Sequence, residues 1–409
     1  MSFVGFLNSS LPRRLAGLAA VVGIAISAAL SGTQPARAQN FQTAATHAIL
    51  IDADSGTVLF EKAADELFAP ASMAKLMTAE ILFRELEQGR VTMDSEFVIS
   101  ENAWRKGGGR ADGSSMFAAL NSRVKVSDLL RGLIVQSGND AAIAIAEGIA
   151  GTEDNFARMM NERAKEIGLQ NSTFRNPTGY GHPEQKVTAR DLTKLAIHII
   201  ETYPEYYKIY SEREFTWNKI RQQNRNPLLA EFPGADGLKT GYLEESGYAL
   251  TGTAVQNGQR LVMVVSGLKT MRDRASESRK LLDYGFRAFE SRPLFEKGDI
   301  VGEAQVYGGS RGSVPLTSPK PIRVLLPRGT NDRLVAKIVY TGPLQAPIQK
   351  GARVARLQVM RGDAQALDVP LYAAEDVGVG SLSQRAVDGL MEFGTGLIRR
   401  AFSAVTNRG

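Results

Sequence analysis

Residues 69–75 read Ala-Pro-Ala-Ser-Met-Ala-Lys, and they open a stretch with helical spacing of apolar residues to about Gln88. A helix that begins near Ser72 places residues three apart on one face, so the amine of Lys75 can reach the Ser72 hydroxyl. Serine is a weak nucleophile until a neighbour takes its proton, and an amine does so only when burial or nearby positive charge lowers its pKa. A helix start also offers unpaired backbone N–H groups to an oxyanion. The stretch therefore fits a serine nucleophile with a lysine base, but Ser-x-x-Lys alone recurs by chance about once in 300 positions, so the motif needs support from the rest of the chain.

Two further motifs carry chemistry-bearing side chains. The Ser-Gly-Asn motif, residues 137–139, joins two segments with helical periodicity, Val126–Gln136 and Asp140–Ala150. A hydroxyl and an amide displayed there can pass a proton and hold the lysine amine. The Lys-Thr-Gly motif, residues 239–241, comes at the start of a predicted strand, whose edge offers backbone groups to an extended peptide. Taken singly, the motifs also fit a helix end with an Asn N-cap and a strand-entry turn.

The order of the predicted elements indicates one sheet with helices packed against it. A hairpin at residues 48–61 precedes a mainly helical region, and the strands Gly247–Ala254 and Leu261–Gly267 follow that region. A helix at Ser276–Phe289 closes it. From Pro293 onward, short apolar runs alternate with Gly and Pro, which predicts a small all-β domain.

Both ends of the chain differ from this globular region. A basic patch precedes the apolar stretch Leu15–Leu30, and residues 35–38, Pro-Ala-Arg-Ala, fit a leader-peptidase site. Residues 1–38 are thus predicted to be a secretory signal, cleaved before Gln39, with an uncleaved membrane anchor as the alternative. Residues 381–409 place their apolar side chains within one arc of a helical wheel. We expect this amphipathic helix to lie in the membrane interface, the alternative being that it packs on its own protein.

The composition argues against several kinds of site. The chain has no cysteine, so thiol nucleophiles and thiolate metal sites are excluded. Among its three histidines no pair has the i, i+4 spacing of a zinc helix, and we expect no metal and no cofactor. The net charge of +6 suits an anionic wall or membrane surface, but no Lys/Arg block is long enough to suggest nucleic acid. The oligomeric state is left open.

Together, the three motifs occur in the order that is typical of penicillin-recognising serine enzymes. The chain resembles the low-molecular-mass penicillin-binding proteins of the D-alanyl-D-alanine carboxypeptidase type over essentially its whole length. The resemblance implies an α/β (α+β) catalytic domain at 39–292, β-lactamase- and transpeptidase-like, with an antiparallel sheet flanked by helices and a helical subdomain. A small β-rich domain would follow at 293–378, and the membrane-associating helix at 381–409. Further stretches that resemble the family are residues 69–78, 113–117, 133–141, 176–179, 188–192, 224–226 and 272–278.

The resemblance also implies roles for individual residues. Ser72 would be acylated and Lys75 would be the base, while Ser137 and Asn139 complete the proton network. The residues expected to bind the terminal carboxylate of the substrate are Lys239, Thr240, Gly241, Arg274 and Arg225. The oxyanion hole would be the backbone N–H groups of Ser72 and Tyr242. Many relatives carry His-Thr after Lys-Thr-Gly where this chain has Tyr242-Leu243, so no role is predicted for that tyrosine side chain.

The implied protein is an exported serine D-alanyl-D-alanine carboxypeptidase at the periplasmic face of the inner membrane. Its partners would be peptidoglycan stem peptides, β-lactams and, through the tail helix, a membrane surface. A D,D-endopeptidase of the same family and a non-catalytic wall-binding protein are the alternatives. A class A β-lactamase is disfavoured because no Glu-x-x-Leu-Asn element follows Ser137. Asp140, which follows the Ser-Gly-Asn motif, is expected to act only as a first-turn helix acid.

Overall fold

The computed structural model describes residues 41–382 except positions 110, 112, 330–332 and 363. The predicted signal and all but two residues of the predicted tail helix lie outside the described residues and stay predictions. The chain divides into two compact units, a first unit at Phe41–Phe289 and a second that begins at Glu290. Within the described part of the chain, no helix combines the length and the apolar character that a membrane crossing requires.

The first unit contains a five-stranded antiparallel sheet with the strand order β2-β1-β9-β8-β7, and two small hairpins, β3-β4 and β5-β6. Its strands are β1 (His47–Asp52), β2 (Val58–Lys62), β3 (Glu96–Val98), β4 (Arg123–Lys125), β5 (Glu214–Trp217), β6 (Ile220–Gln223), β7 (Ala235–Leu243), β8 (Gly247–Gln256) and β9 (Gln259–Leu268). Its α-helices are α1 (Lys75–Glu87), α2 (Glu101–Gly107), α3 (Val126–Arg131), α4 (Asn139–Ala150), α5 (Glu153–Ile167), α6 (Ala189–Thr202), α7 (Pro204–Tyr207), α8 (Leu228–Glu231) and α9 (Met271–Ala288). A 3-10 turn at Ala71–Ala74 precedes α1, and a π-helical turn at Gly132–Gln136 follows α3.

Four of the described α-helices, α2, α5, α6 and α9, begin after a residue whose side chain caps them. The Thr152 side chain accepts from the N–H of Asn155 at the start of α5, and the Thr188 side chain accepts from the N–H of Asp191 at the start of α6. Helix α1 is buried along almost its whole length, because helices and sheet surround it in one hydrophobic core. Burial on every side holds the residues at its start in fixed positions, and Ser72 and Lys75 lie there.

Two predicted boundaries were wrong. The Lys-Thr-Gly motif lies inside strand β7, which begins four residues earlier at Ala235. Residues 235–238, Ala-Asp-Gly-Leu, have weak intrinsic strand preference, and the pairing with β8 overrides it. Helix α9 begins at Met271 rather than Ser276, because Thr270 caps it by accepting from the N–H of Asp273.

The second unit is built of strands, as the alternation of apolar runs with Gly and Pro predicted. Six strands form one sheet in the order β14-β16-β17-β12-β11-β15, and β10 pairs with β13. These strands are β10 (Phe289–Phe295), β11 (Ile300–Tyr307), β12 (Ser313–Thr317), β13 (Ile322–Pro327), β14 (Leu334–Val339), β15 (Leu344–Gln345), β16 (Arg353–Arg361) and β17 (Ala364–Ala373). Inward-facing aliphatic side chains form a separate core around Val314, Val324 and Leu371. The predicted fold class is thereby confirmed for the described residues.

Candidate active site

A cleft of about 790 Å³ in the first unit brings the three motifs together. Its walls are the 3-10 turn before α1, the turn before α4, the edge strand β7 and the loop at 176–180. The predicted site residues that line it are Ser72, Ser137, Asn139, Arg225, Thr240, Gly241, Tyr242 and Arg274. The side chains of Lys75 and Lys239 are almost completely buried, with 1% and 3% of their surface exposed.

Ser72 lies in the 3-10 turn Ala71–Ala74, and its Oγ is 3.0 Å from the Nζ of Lys75. The residue before it, Ala71, has a φ of 50°, in the left-handed region that costs a non-glycine residue about 1 kcal/mol or more. Such strain persists where the surrounding structure imposes it, and it clusters at sites of chemistry. The turn therefore presents the Ser72 hydroxyl in a position that a relaxed helix start would not give it.

The Lys75 amine is surrounded by three oxygens. Besides Ser72 Oγ, its Nζ contacts Asn139 Oδ1 at 2.7 Å and the carbonyl oxygen of Thr178 at 2.5 Å. Burial lowers the pKa of Lys75 to about 7, helped by the positive charge of Arg225 and opposed by the carboxylate of Asp140. At neutral pH a large fraction of this amine is uncharged and able to accept the Ser72 proton. That is the condition under which the sequence predicted a base.

Ser137 ends the π-helical turn with a left-handed φ of 67°, which turns its side chain away from the helix path. Its Oγ is buried, and no described residue gives it a hydrogen-bond partner. An unsatisfied buried hydroxyl is costly unless something uses it, since burial removes its water. The arrangement fits a group that bonds to a bound substrate, and the predicted role of Ser137 in proton transfer stays a prediction.

Asp140 does more than the first-turn role expected of it. Its buried carboxylate accepts from Ser115 Oγ at 2.8 Å, from the N–H of Met116 at 2.9 Å and from the N–H of Ala118 at 3.1 Å. These bonds anchor the loop at 113–118 to the start of α4. Burial nevertheless raises the pKa of Asp140 from its usual value. The expectation from helix position was incomplete, because it cannot foresee partners that come from a loop more than twenty residues away.

The loop at 176–180 is the part of the site to which sequence reasoning gave no role. Asn176 Oδ1 accepts from the hydroxyl of Thr178 at 2.9 Å and from the N–H of Gly179 at 2.8 Å, which fixes the loop. Gly179 has a φ of +83°, and a Cβ there would lie 1.9 Å from the carbonyl oxygen of Ala71. Only glycine allows the loop to approach the nucleophile turn this closely. The resemblance had marked residues 176–179, but the carbonyl contact of Thr178 is visible only in the folded chain.

Positive charge is concentrated on one side of the cleft. Lys239 on β7 has a pKa well below its usual value, first because it is buried and then because Lys75, Arg225 and Arg274 lie nearby. Arg274 is 8% exposed, its guanidinium lies 5.7 Å from the ring centre of Tyr248, and its Nε has no partner among the described residues. Crowded, poorly solvated cations of this kind are stabilised by an anion. The geometry suits the carboxylate-binding role that the resemblance implied.

The side chain of Tyr242 is 51% exposed, and its ring lies 4.3 Å, centroid to centroid, from that of Tyr248. Ring packing accounts for the position of Tyr242, because its ring lies against Tyr248, which in turn contacts Arg274. No contact of the Tyr242 hydroxyl is required. The residue belongs to the edge strand β7, where alternate backbone N–H groups face away from β8. The oxyanion role of its N–H stays a prediction.

Comparison with known proteins finds similar sequences and structures for most of the chain. Residues 33–270 match the family described as D-alanyl-D-alanine carboxypeptidase, and residues 289–379 match the C-terminal domain of penicillin-binding protein 5. The carboxypeptidase DacA of Haemophilus influenzae is 38% identical over 352 residues, which cover 85% of this chain and 89% of that protein. The carboxypeptidase DacC of Escherichia coli is 38% identical over 386 residues, covering 94% and 96%. The crystal structure of penicillin-binding protein 5 from Haemophilus influenzae, 37% identical, superposes with a TM-score of 0.73 and covers 85% of this chain and all of that one.

Proposed function

The chain belongs to the serine-type D-alanyl-D-alanine carboxypeptidases, as its motifs predicted, and we propose that it removes the terminal D-alanine from peptidoglycan pentapeptide stems through an acyl-enzyme at Ser72. One observation carries the proposal. The Lys75 amine is buried, lies 3.0 Å from Ser72 Oγ and has a pKa lowered to about 7. A serine with such a neighbour can lose its proton at neutral pH.

In the proposed first half-reaction, neutral Lys75 takes the Ser72 proton while Oγ bonds to the carbonyl carbon between the two terminal D-alanines. The oxyanion is stabilised by the backbone N–H groups of Ser72 and Tyr242. The proton passes from the amine, by way of Ser137, to the nitrogen of the departing D-alanine, and the C–N bond breaks. In the second half-reaction water attacks the ester, and Ser72 recovers its proton.

The peptide would bind in extended form along β7, whose free edge supplies backbone groups. Its terminal carboxylate would lie among Lys239, Arg225 and Arg274, with the Thr240 hydroxyl and the close approach that Gly241 allows. A Cβ at position 241 would lie 3.0 Å from the carbonyl oxygen of Pro70, so space is tight there. Penicillin presents a carboxylate and an acylating carbonyl to the same groups, and the kinship with penicillin-binding protein 5 supports its use as a substrate analogue.

Fluorescent penicillin tests the nucleophile. We expect covalent labelling of the full chain and none of the variant Ser72→Ala. Ser211→Ala, at an exposed helix end in the same unit, is the matched control and should label like the parent. Labelling that survives Ser72→Ala would show that another residue is acylated.

Mass spectrometry of digested substrates tests the bond. A soluble pentapeptide should lose one D-alanine, and a cross-linked dimer should remain intact. Cleavage of the dimer in preference to the pentapeptide would mean that the enzyme is the D,D-endopeptidase. Absence of both reactions, together with absence of penicillin labelling, would favour the wall-binding alternative.

We also propose that residues 1–38 direct export to the periplasm and are removed, that 39–292 form the catalytic domain and 293–378 the β-rich domain, and that 381–409 bind the membrane surface. The support is the pattern of the sequence at both ends. Deletion of residues 381–409 should release the protein from membranes and leave pentapeptide turnover unchanged. A truncated protein that still sediments with membranes would contradict the anchoring role.

A further inference from the structure

We infer that the hydroxyl of Tyr180 is a positioning group for the active site. It fixes which way round the side-chain amide of Asn139 lies and thereby holds the Asn139 carbonyl oxygen against Lys75. The inference rests on the roles proposed above for Ser72 and Lys75. Its basis is the direction that each hydrogen bond must have in a chain of four groups, from Lys106 through Tyr180 and Asn139 to Lys75.

The first link determines the tyrosine proton. The Tyr180 hydroxyl lies 2.6 Å from the backbone carbonyl oxygen of Lys106, in the last turn of α2. A carbonyl can only accept, so the hydroxyl donates its one proton there. Toward Asn139, 2.9 Å away, Tyr180 Oη presents a lone pair. The atom of the amide that faces it must therefore be the donor, Nδ2.

The other end of the amide gives the same answer. Lys75 Nζ lies 2.7 Å from Asn139 Oδ1, and an ammonium group only donates. Turning the amide over would set Nδ2 against the ammonium and Oδ1 against a hydroxyl whose proton is already committed. Both contacts would then be repulsive. Tyr180 thus enforces at one end of Asn139 the orientation that the protonated base requires at the other.

Tyr180 is held firmly enough for this role. Its N–H donates to Asn176 Oδ1 at 3.1 Å, and its carbonyl oxygen accepts from Gln185 Nε2 at 2.9 Å. The same loop contributes the carbonyl of Thr178 that contacts Lys75 directly. One loop therefore contacts the base and, through Tyr180, the amide that holds the base.

Removal of the hydroxyl leaves the ring in place but leaves Nδ2 without its acceptor, so only the contact with Lys75 still orients the amide of Asn139. When Lys75 is neutral its amine can also accept a hydrogen bond from Nδ2, so the amide can then turn. In the turned form Lys75 loses an acceptor that favours its charged state, and its pKa falls. The charged groups around the amine are Arg225, Asp140 and Lys239, and the substitution leaves all three unchanged. The amine is also aimed less well at Ser72, so acylation slows.

The test compares Tyr180→Phe with the parent and with Tyr206→Phe. The ring of Tyr206 stacks on Phe83 at 5.3 Å, away from the residues that line the cleft. The second-order rate constant for acylation by fluorescent penicillin is measured from pH 5.5 to 9, with the thermal unfolding midpoint of each protein. We expect Tyr180→Phe to acylate about three- to tenfold more slowly on the high-pH plateau, which is the effect of one hydrogen bond. The low-pH limb of its rate profile should move to lower pH, and its unfolding midpoint should stay close to that of the parent. With the pentapeptide as substrate, kcat should fall by a larger factor than KM changes.

Two results overturn the inference. In one, Tyr180→Phe has the plateau and the acid limb of the parent. In the other, the rate falls together with the unfolding midpoint while the acid limb stays in place, which indicates a purely structural role. A parent protein that does not label at Ser72 overturns the proposed function and the inference with it. A labelled parent with an indifferent Tyr180→Phe overturns the inference alone.

Discussion

The rate of acylation of Ser72 should rise with pH, pass through a midpoint near 7 and level off above it. Only the neutral form of Lys75 can take the serine proton, and burial together with the positive charge of Arg225 lowers its pKa to about 7. A depressed lysine pKa means that the base is available above that value and lost as pH falls through it. With free enzyme and a penicillin at low concentration, the rate constant reports this titration.

The size of the effect follows from the pKa. The neutral fraction of Lys75 is about 9% at pH 6, about 50% at pH 7 and about 91% at pH 8. Acylation at pH 8 should therefore be about tenfold faster than at pH 6, and only about twofold faster than at pH 7. A lysine with an ordinary pKa would instead give a rate that rises about tenfold per pH unit with no plateau below pH 9.

The assay is the second-order rate constant for labelling by fluorescent penicillin, at constant ionic strength between pH 5.5 and 9. The variant Arg225→Met removes the positive charge that, after burial, lowers the pKa of Lys75, so its midpoint should move to higher pH. Arg221→Met is the control, because this exposed side chain on β6 pairs with Glu214. A flat profile, or a rise that continues to pH 9 in the parent, would refute the assignment of Lys75 as the base.

Three further predictions concern groups around the base. In Gly179→Ala the added Cβ would lie 1.9 Å from the Ala71 carbonyl oxygen, so the loop at 176–180 must shift. Penicillin labelling should therefore slow about 100-fold. Unchanged labelling would mean that the loop adapts without moving the Thr178 carbonyl. In Asp140→Asn an amide replaces a carboxylate that accepts from two backbone N–H groups of the 113–118 loop, and urea unfolding should show a loss of about 1–3 kcal/mol. An unaltered unfolding free energy would contradict the anchoring of that loop. Arg274→Gln should raise KM for the pentapeptide about tenfold or more. The control Arg279→Gln, farther along α9 and paired with Glu231, should leave KM unchanged. Equal KM values for the two variants would show that Arg274 does not bind the carboxylate.

The residues of the three motifs could be predicted because short-range spacing determines their local structure. A serine three residues before a lysine at a helix start places both on one face in any fold. The order of the motifs then indicated the family, and with it the cleft that brings Ser72, Ser137 and Thr240 together. Composition alone would not have indicated that cleft.

The remaining contacts could not be predicted, because they join side chains to backbone groups of distant loops. The carbonyl of Thr178 reaches Lys75 across 103 residues, and the carboxylate of Asp140 reaches Met116 across 24. Neither contact depends on the periodicity of its own element. Every residue carries a backbone carbonyl, so residue type gives no signal for which carbonyl enters a site. The start of β7 was misplaced for a related reason, since its pairing with β8 lies outside the local sequence.

The cations of the cleft have two effects that oppose each other. Arg225 helps to lower the pKa of Lys75 and, with Lys239 and Arg274, is placed to bind the substrate carboxylate. A bound substrate carboxylate offsets part of that positive charge, so it raises the pKa of Lys75 and favours its protonated form. Acylation, however, requires Lys75 to be neutral. A substrate in the cleft excludes water and can only add to the burial of Lys75, and burial is the largest cause of the lowered pKa. The enclosure of α1 in the hydrophobic core therefore keeps the pKa of Lys75 low once the cleft holds an anion. The positive charges of the cleft alone would not do so, because the anion offsets them.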